Sequence, residues 1–173
     1  MTIPRPTAQD YGPFYASYVA RLLDTDILAE LADQIDTATS LLRPLDDTAA
    51  SFRYAPGKWT IKQVTGHLID TERLFVYRAT SIARGDRTEL PGMDQDAWLA
   101  GADFDRMPIG DLRDEFVHLR RATVLFFRNL RPEDLARRGV ADQKPLSVLA
   151  LPYIIAGHSG HHLEVLATRY RQR

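Results

Sequence analysis

The fold is decided by the stretch Ile154-Ile155-Ala156-Gly157-His158-Ser159-Gly160-His161-His162-Leu163-Glu164-Val165. Three of the five histidines of the chain fall within five positions of a segment that otherwise has the composition of an apolar helix. On a helix, His158 and His162 lie one turn apart, so their rings leave the same face. One stripe with spacings of four and three residues contains Leu151, Ile155, His158, His162 and Val165. This spacing predicts a helix that faces the core of a bundle.

Two imidazoles on an inward-facing stripe need a partner, because a polar group that is buried without one costs free energy. A divalent metal is such a partner, and His-x-x-x-His is a spacing with which helices bind zinc. A third ligand must come from elsewhere, since one helix offers two neighbouring ligands at this spacing. His67 is the candidate, because it lies on a predicted helix with an apolar side close to it. Three neutral imidazoles would leave the full charge on the metal, which favours ionisation of bound water.

Simpler interpretations of these residues stay open. A single helical histidine is usually a packing or surface residue, and His67 alone would be interpreted in that way. His161 could neighbour the site, be an alternative ligand or be exposed, and His118 is expected at the surface. Other active sites fit less well, because the chain lacks His-Glu-x-x-His, a glycine-rich phosphate loop and the two Glu-x-x-His motifs of a di-iron site. Ser159 and His158 are adjacent on a helix, so they point about 100° apart and cannot act as nucleophile and base.

Length and composition limit the possible functions. The chain has 173 residues and a formal charge of -1, so we expect one helical domain over residues 1–173 and no nucleic-acid partner. No apolar run approaches the roughly 20 residues that span a bilayer, and no signal-peptide pattern is present, so we expect no membrane partner and a cytoplasmic location. There are no cysteines. Any metal must therefore use imidazole and carboxylate ligands, and any thiol chemistry needs a bound small molecule.

The first two long helices have clear start and stop signals. After a short helix or ordered arm over residues 13–23, the first begins at Asp26 and ends before Pro44, because proline cannot continue the hydrogen-bond ladder. The second begins with the capping-box pattern of Thr60 and Gln63. It is expected to run to residue 83 or 84, before Gly85.

The third long helix follows Pro108, ends before Pro132, and is expected to bury a stripe of residues. These are Leu112, Phe116, Leu119, Thr123, Phe126 and Leu130. The connection over residues 85–109 is long for a compact bundle and is expected to hold one short helix at 94–100. Connections of this length often border a functional site. A loop over 132–145 leads to the last helix, for which Ser147 is a plausible N-cap and Pro152 is either a kink or a first-turn residue.

These segments predict the fold class. Four long amphipathic helices, without an alternating strand pattern or a repeat period, predict an all-α four-helix bundle. The long connections would let its topology depart from simple up-and-down. Helix faces rich in leucine and phenylalanine could also support a homodimer.

Three stretches resemble motifs of the DinB/YfiT-like superfamily. Trp59 to Arg73 resembles its first motif, Ile155 to His162 looks like its second, and Leu90 to Asp96 is similar to the loop that follows the second helix in these proteins. The resemblance covers nearly the whole chain. It implies a four-helix bundle of unusual connectivity and a metal, often nickel or zinc, bound by His67, His158 and His162.

The resemblance also implies an activity. The better-understood members of the family look like thiol S-transferases, in which a low-molecular-weight thiol such as bacillithiol, mycothiol or glutathione binds the metal and attacks a small electrophilic substrate. A divalent metal stabilises a thiolate over a thiol, which is consistent with this chemistry. Other relatives look like metal-dependent hydrolases that use metal-bound hydroxide. A non-catalytic helical binding protein with structural histidines is the third possibility.

Roles for nearby carboxylates are hypotheses. Asp70 lies within about 60° of His67 on the helix and could approach the site. Asp94 could face the pocket from its loop. Glu72 is about 140° from His67, so it would orient a loop or form an ion pair. Solvated surface charges are the simpler expectation for Glu72 and for Glu164.

Overall fold

The computed structural model describes residues 2–23 and 26–170, most of them in helices. After a 3-10 turn at Pro13–Tyr15, the helices and strands in chain order are α1 (Ala16–Ala20), α2 (Ile27–Leu42), α3 (Asp47–Ala50), α4 (Ile61–Ala83), α5 (Gln95–Ala102), a 3-10 turn at Phe104–Arg106, α6 (Ile109–Arg128), α7 (Pro132–Leu135), β1 (Arg138–Ala141), β2 (Lys144–Ser147) and α8 (Leu151–Arg169). The long helices α2, α4, α6 and α8 form a bundle in which α2 and α4 each pack against α6 and α8, while α1 packs on α8. The predicted four-helix bundle is confirmed.

Side-chain caps set the starts of several helices. Thr60 Oγ1 accepts a hydrogen bond from the Gln63 backbone N–H at 3.0 Å, and Gln63 Oε1 accepts one from the Thr60 N–H at 3.0 Å, so the predicted capping box of α4 is present. Asp26 caps α2 through the Leu28 N–H at 3.0 Å. Asp94 caps α5 in the same way. These oxygens satisfy N–H groups that have no partner within a helix.

The prediction of a loop over residues 132–145 is wrong. This region holds α7 and the antiparallel hairpin of β1 and β2, whose turn residues Asp142 and Gln143 both have positive φ, 51° and 60°. Two positive values suit the tight turn of a hairpin, but strands of four residues are too short to show an alternating pattern in the sequence. Ser147 ends β2, and its Oγ accepts a hydrogen bond from the Ala150 N–H at 3.1 Å in the turn before α8. The N-cap residue of α8 is Ala150, and Pro152 lies in the first turn of the helix.

The buried face of α6 differs from the predicted stripe. Leu112, Phe116, Thr123 and Leu130 are buried as expected, but Leu119 and Phe126 are only half-buried. Arg120 and Phe127 take the central positions instead, and both are fully enclosed. The predicted stripe follows apolar residues alone, so it takes Leu119 and Phe126 in place of their buried neighbours Arg120 and Phe127.

A polar layer crosses the middle of the bundle between two apolar ends. One apolar cluster includes Leu31, Phe127 and Ile154, and the other includes Leu68 and Leu163. The layer between them contains side chains from all four long helices. Its buried members include Gln34, His67, Thr71, Glu72, Arg120, Thr123, His158 and Ser159.

No helix in the described part of the chain has the length and apolar character that crossing a bilayer requires.

Candidate metal centre

Packing of α4 against α8 brings the three predicted ligands together. His67 Nε2 lies 3.0 Å from His158 Nε2. The rings of His158 and His162, one turn apart on α8, have centroids 4.6 Å apart, and the His162 ring lies 4.9 Å from that of His67. One nitrogen from each ring can be chosen so that all three lie within 4.8 Å of one another.

The donor set fits a divalent cation. Tetrahedral zinc holds imidazole nitrogens at about 2.0–2.1 Å, which places two such nitrogens roughly 3.3 Å apart. The observed spacing needs only small side-chain movements to reach that value. Imidazole nitrogen is a ligand that zinc, nickel, copper and iron all accept, so the donors do not choose among them.

Burial keeps the three imidazoles neutral, which is the form that binds a metal. It lowers the pKa of His67 to about 4 and, together with the neighbouring imidazoles, that of His162 to about 3. The pKa of His158 is held well below its ordinary value, first by burial and then by charge repulsion from His162 and His67. Each ring therefore offers a lone pair at neutral pH.

Neighbouring side chains hold the rings in place. Thr71 Oγ1 lies 3.4 Å from Nδ1 of His67, one turn away on α4, which leaves Nε2 of that ring facing the cluster. Trp59 stacks on His162 with 15° between the ring planes, and its ring centroid lies 4.9 Å from that of His67. Tyr18 meets His158 edge-on, with centroids 5.3 Å apart. These contacts orient the three rings.

Two cavities border the histidines. One has a volume of about 410 Å³, is bordered by His67 and His158, and continues between Tyr18, Phe75 and Arg78. The other has a volume of about 320 Å³ and is bordered by His161 and His162. The cluster is therefore open to small molecules.

The close approach of α1 to α8 shapes the larger cavity. A Cβ atom added at Gly157 would lie 2.2 Å from the Tyr18 carbonyl oxygen, so a residue without a side chain is needed there. This approach brings Tyr18 against His158 on the next position of α8. Gly157 thus indirectly positions one wall of the site.

The other candidate residues lie outside the cluster. His118 is exposed, and His161 is half-buried beside His162. Asp70 pairs with Arg73 at 3.5 Å, Asp94 is an exposed cap, and Glu164 is an exposed partner of Arg21. Among the described residues, the cluster is made of histidines alone.

The expectation of a solvated Glu72 is wrong. Its side chain is 1% exposed and forms a bidentate ion pair with Arg120, whose side chain is fully enclosed. Ion pairing, the alternative for Glu72, is therefore what the structure shows. The Glu72 side chain leaves α4 about 140° around the helix from His67, so it points away from the histidines and toward α6.

Sequence reasoning missed Arg120. Its guanidinium also donates to Gln34 Oε1 and to Ser159 Oγ, both at 2.7 Å, and so joins α2, α6 and α8. Ser159 directly follows His158, so this network fixes the position of α8 beside that histidine. One signal was present: a stripe with spacings of four and three runs Leu112, Phe116, Arg120, Thr123 and Phe127.

Comparisons with known proteins agree with this fold. The chain is 27% identical over 140 residues to the "Putative metal-dependent hydrolase" of Bacillus pumilus (strain SAFR-032), covering 80% of this chain and 78% of that protein. Its fold is similar to that of YfiT from Bacillus subtilis, with a TM-score of 0.72, 18% identity and 82% of each chain covered. It is also similar to the mycothiol-dependent maleylpyruvate isomerase, with a TM-score of 0.69, 12% identity, and 86% of this chain and 62% of that chain covered. At these identities, the two structural likenesses show the fold alone.

The region that defines the family includes both helices that carry the clustered histidines. The model of the DinB superfamily matches residues 30–166, which contain α4 and nearly all of α8. The match covers most of the chain and all three clustered histidines. The chain therefore belongs to the DinB superfamily.

Proposed function

We propose that this protein binds a divalent cation through His67, His158 and His162 and transfers a low-molecular-weight thiol to a small electrophile. The observation that carries the proposal is the convergence of three neutral imidazoles beside a cavity of about 410 Å³. A bound divalent cation lowers the pKa of a thiol and so supplies a thiolate at neutral pH. Nickel and zinc are the cations that we propose first.

The residues of the chain itself would orient the reactants and limit water. Thr71 and Trp59 hold the ligand rings, and Tyr18 and Phe75 form aromatic walls next to His158. Because the chain has no cysteine, no thiol of its own competes with the substrate. Of the two cavities that reach the cluster, one could admit the thiol and the other the electrophile.

The charges around the larger cavity favour a thiol over water as the nucleophile. Metal-dependent hydrolases commonly use a carboxylate as a general base, as in the His-Glu-x-x-His enzymes. Asp142 is the sole carboxylate among the described residues of this cavity wall, and it is paired with Lys144. The similarity to the fold of a mycothiol-dependent isomerase supports the same choice.

Hydrolysis is the second candidate. The relative from Bacillus pumilus is named as a metal-dependent hydrolase, and YfiT is described as a probable one. The same three histidines would serve both reactions. The two activities differ in whether turnover needs an added thiol.

Metal binding is tested first. The protein is purified free of metal, reloaded with zinc or nickel, and assayed for metal content by elemental analysis. One equivalent is expected for the unchanged protein and for His118→Ala, whose substitution is at an exposed position on α6. His158→Ala should lose most of the bound metal. Equal metal content in both variants would overturn the proposed ligand set.

The reaction is tested next with the reloaded protein. 1-Chloro-2,4-dinitrobenzene is supplied with bacillithiol, glutathione or mycothiol, and the thioether and released chloride are measured while the thiol proton passes to the buffer. A thiol-dependent rate that is absent from His158→Ala supports transfer. Cleavage of a nitrophenyl ester without added thiol supports hydrolysis instead. No reaction in either assay would favour the non-catalytic binding protein.

A further inference from the structure

Arg78 is a buried cation of α4 that forms no ion pair with a described residue, although its charge, after the hydrogen bond from Lys144, also lowers the pKa of the Asp142 carboxyl from farther away. Arg78 is 2% exposed and lines the larger cavity. Its guanidinium donates to the Tyr15 hydroxyl at 3.2 Å and to the Pro91 carbonyl oxygen at 2.6 Å, whereas Nε has no hydrogen-bond partner. Within residues 2–23 and 26–170, no carboxylate lies within ion-pair distance of it. Arg120, the other deeply buried arginine of the bundle, has Glu72.

Burying the Arg78 charge should cost more free energy than burying the Arg120 charge. A buried charge is expensive unless an opposite charge compensates it, and neutral acceptors replace only part of the lost hydration. The charged groups in the cavity wall are Arg78, Lys144 and Asp142, and the last two are paired with each other. The cavity therefore keeps an excess positive charge, because its two histidines are neutral.

The helical spacing places this charge at a defined distance from the ligands. Arg78 follows His67 by eleven positions, so the two residues lie on nearly the same face of α4, with their Cα atoms about 16 Å apart along the axis. Thr71, Leu74 and Phe75 line the cavity between them. The cavity thus joins a reactive end at the histidines to a cationic end at Arg78 through a largely apolar wall.

We propose that Arg78 binds a carboxylate of the organic substrate whose other end reacts at the histidine cluster. The ligand class is an elongated thiol or electrophile with an apolar middle and a terminal carboxylate. A carboxylate can accept hydrogen bonds from two guanidinium nitrogens. Nε has no partner within the described protein but is itself enclosed, so the guanidinium must turn before that nitrogen can reach a ligand. The reactive half of this proposal rests on the proposed function, whereas the binding of an anion at Arg78 does not.

The test begins with the metal-free protein and two probes of equal length, octanoate and octanol. Isothermal titration calorimetry should show octanoate binding at least about tenfold more tightly, as expected for a charge-assisted hydrogen bond in a buried site. Arg78→Gln should remove this preference while leaving the affinity for octanol unchanged, and Arg78→Lys should retain part of it. The matched control is Arg73→Gln, which replaces an exposed arginine of the same helix.

Cobalt(II)-loaded protein then shows which reactant carries the carboxylate. If it belongs to the thiol, 8-mercaptooctanoic acid should give a sulfur-to-cobalt absorption band and bind more tightly than 8-mercaptooctanol or octanoate. If it belongs to the electrophile, 2-mercaptoethanol should give that band while octanoate is bound as well. Arg78→Gln should weaken binding of the acid and leave the cobalt spectrum unchanged.

The two proposals fail in different ways. Absence of cobalt bands with every thiol would overturn the thiol-transfer function, while octanoate binding would still decide the role of Arg78. Equal affinity of octanoate and octanol for the unchanged protein would overturn the carboxylate site, even if Arg78→Gln did not fold.

Discussion

At the scale of single residues, two ion pairs link α4 to α6 in very different surroundings. Glu72 and Arg120 are enclosed, with side chains 1% and 0% exposed. Arg73 and Glu115 are 51% and 32% exposed. Because water compensates the outer charges but cannot reach the inner ones, only the inner pair should matter strongly for stability.

Replacing Glu72 by Gln should therefore destabilise the protein strongly. The substitution leaves the Arg120 charge buried without an anion, which typically costs about 3–5 kcal/mol of the free energy of unfolding. Glu115→Gln, the matched change in the exposed pair, should cost less than about 1 kcal/mol. Urea unfolding of both variants measures the difference. Similar losses for the two variants would contradict the importance of burial.

The clustered histidines make the stability of the metal-free protein dependent on pH. The ordinary histidine pKa is 6.5, and burial lowers it to about 4 in His67 and, with neighbouring charges, to about 3 in His162. Between the pKa values of the folded and the unfolded chain, the unfolded chain binds protons that the folded chain excludes. The free energy of unfolding is therefore at its full value above pH 6.5 and falls as the pH drops toward 4. Each such histidine should contribute up to about 1.4 kcal/mol per pH unit in this range.

Urea unfolding between pH 8 and pH 4.5 measures this slope. His162→Gln should make it shallower, because the amide does not titrate. His118→Gln, at an exposed position, should leave it unchanged. An unchanged slope in His162→Gln would show that the ring is not buried in its neutral form.

At the scale of elements, the contact of α1 with α8 depends on one glycine. A Cβ atom at Gly157 would overlap the Tyr18 backbone, whereas one at Gly160, on the next turn of α8, would meet only Gln34 Nε2 at 3.5 Å. Gly157→Ala should force α1 away from α8 and cost about 1–3 kcal/mol. Gly160→Ala should be neutral or stabilising by up to about 1 kcal/mol, because alanine favours a helix.

Thermal unfolding and octanoate binding test this pair of variants. The displaced segment includes Tyr18 of α1 and Tyr15 of the preceding turn, so Gly157→Ala should also weaken octanoate binding in the larger cavity. Retained stability and binding in Gly157→Ala would show that the two helices can separate without cost.

At the scale of the whole molecule, a bound cation would cross-link α4 and α8. It binds the folded chain, whose ligands converge, and should raise the free energy of unfolding by about 2.7 kcal/mol at a hundredfold excess over Kd. For a chain of this size, that corresponds to roughly 5–10 °C in Tm. Zinc titration monitored by calorimetry measures the shift, and EDTA should reverse it. His162→Gln should show a much smaller shift. Stoichiometric binding without any rise in Tm would contradict a cross-link between these helices.

Local patterns in the chain were sufficient for the helices and for part of the site. The α4 capping box, the prolines beyond α2 and α6, and the spacing of His158 and His162 are relations between residues a few positions apart. Such relations depend on hydrogen bonds and side-chain directions within one helix, so they can be recognised before anything packs. The same rules failed for β1 and β2, which are short, and for α6, whose central core residue is an arginine.

Packing alone decided which distant residues meet. His67 and His158 are 91 positions apart and Glu72 and Arg120 are 48 apart, distances along the chain at which no periodicity relates one residue to another. Their positions depend on how whole helices fill the core and on which buried polar groups can satisfy one another. The amino-acid pattern thus determined four helices and a pair of candidate ligands on one of them, because those follow from local geometry. Tertiary structure decided that a third imidazole nitrogen, from His67, meets this pair, that Glu72 pairs with Arg120, and that Arg78 has no ion pair among the described residues. Each of these depends on which side chains the other helices place next to the residue.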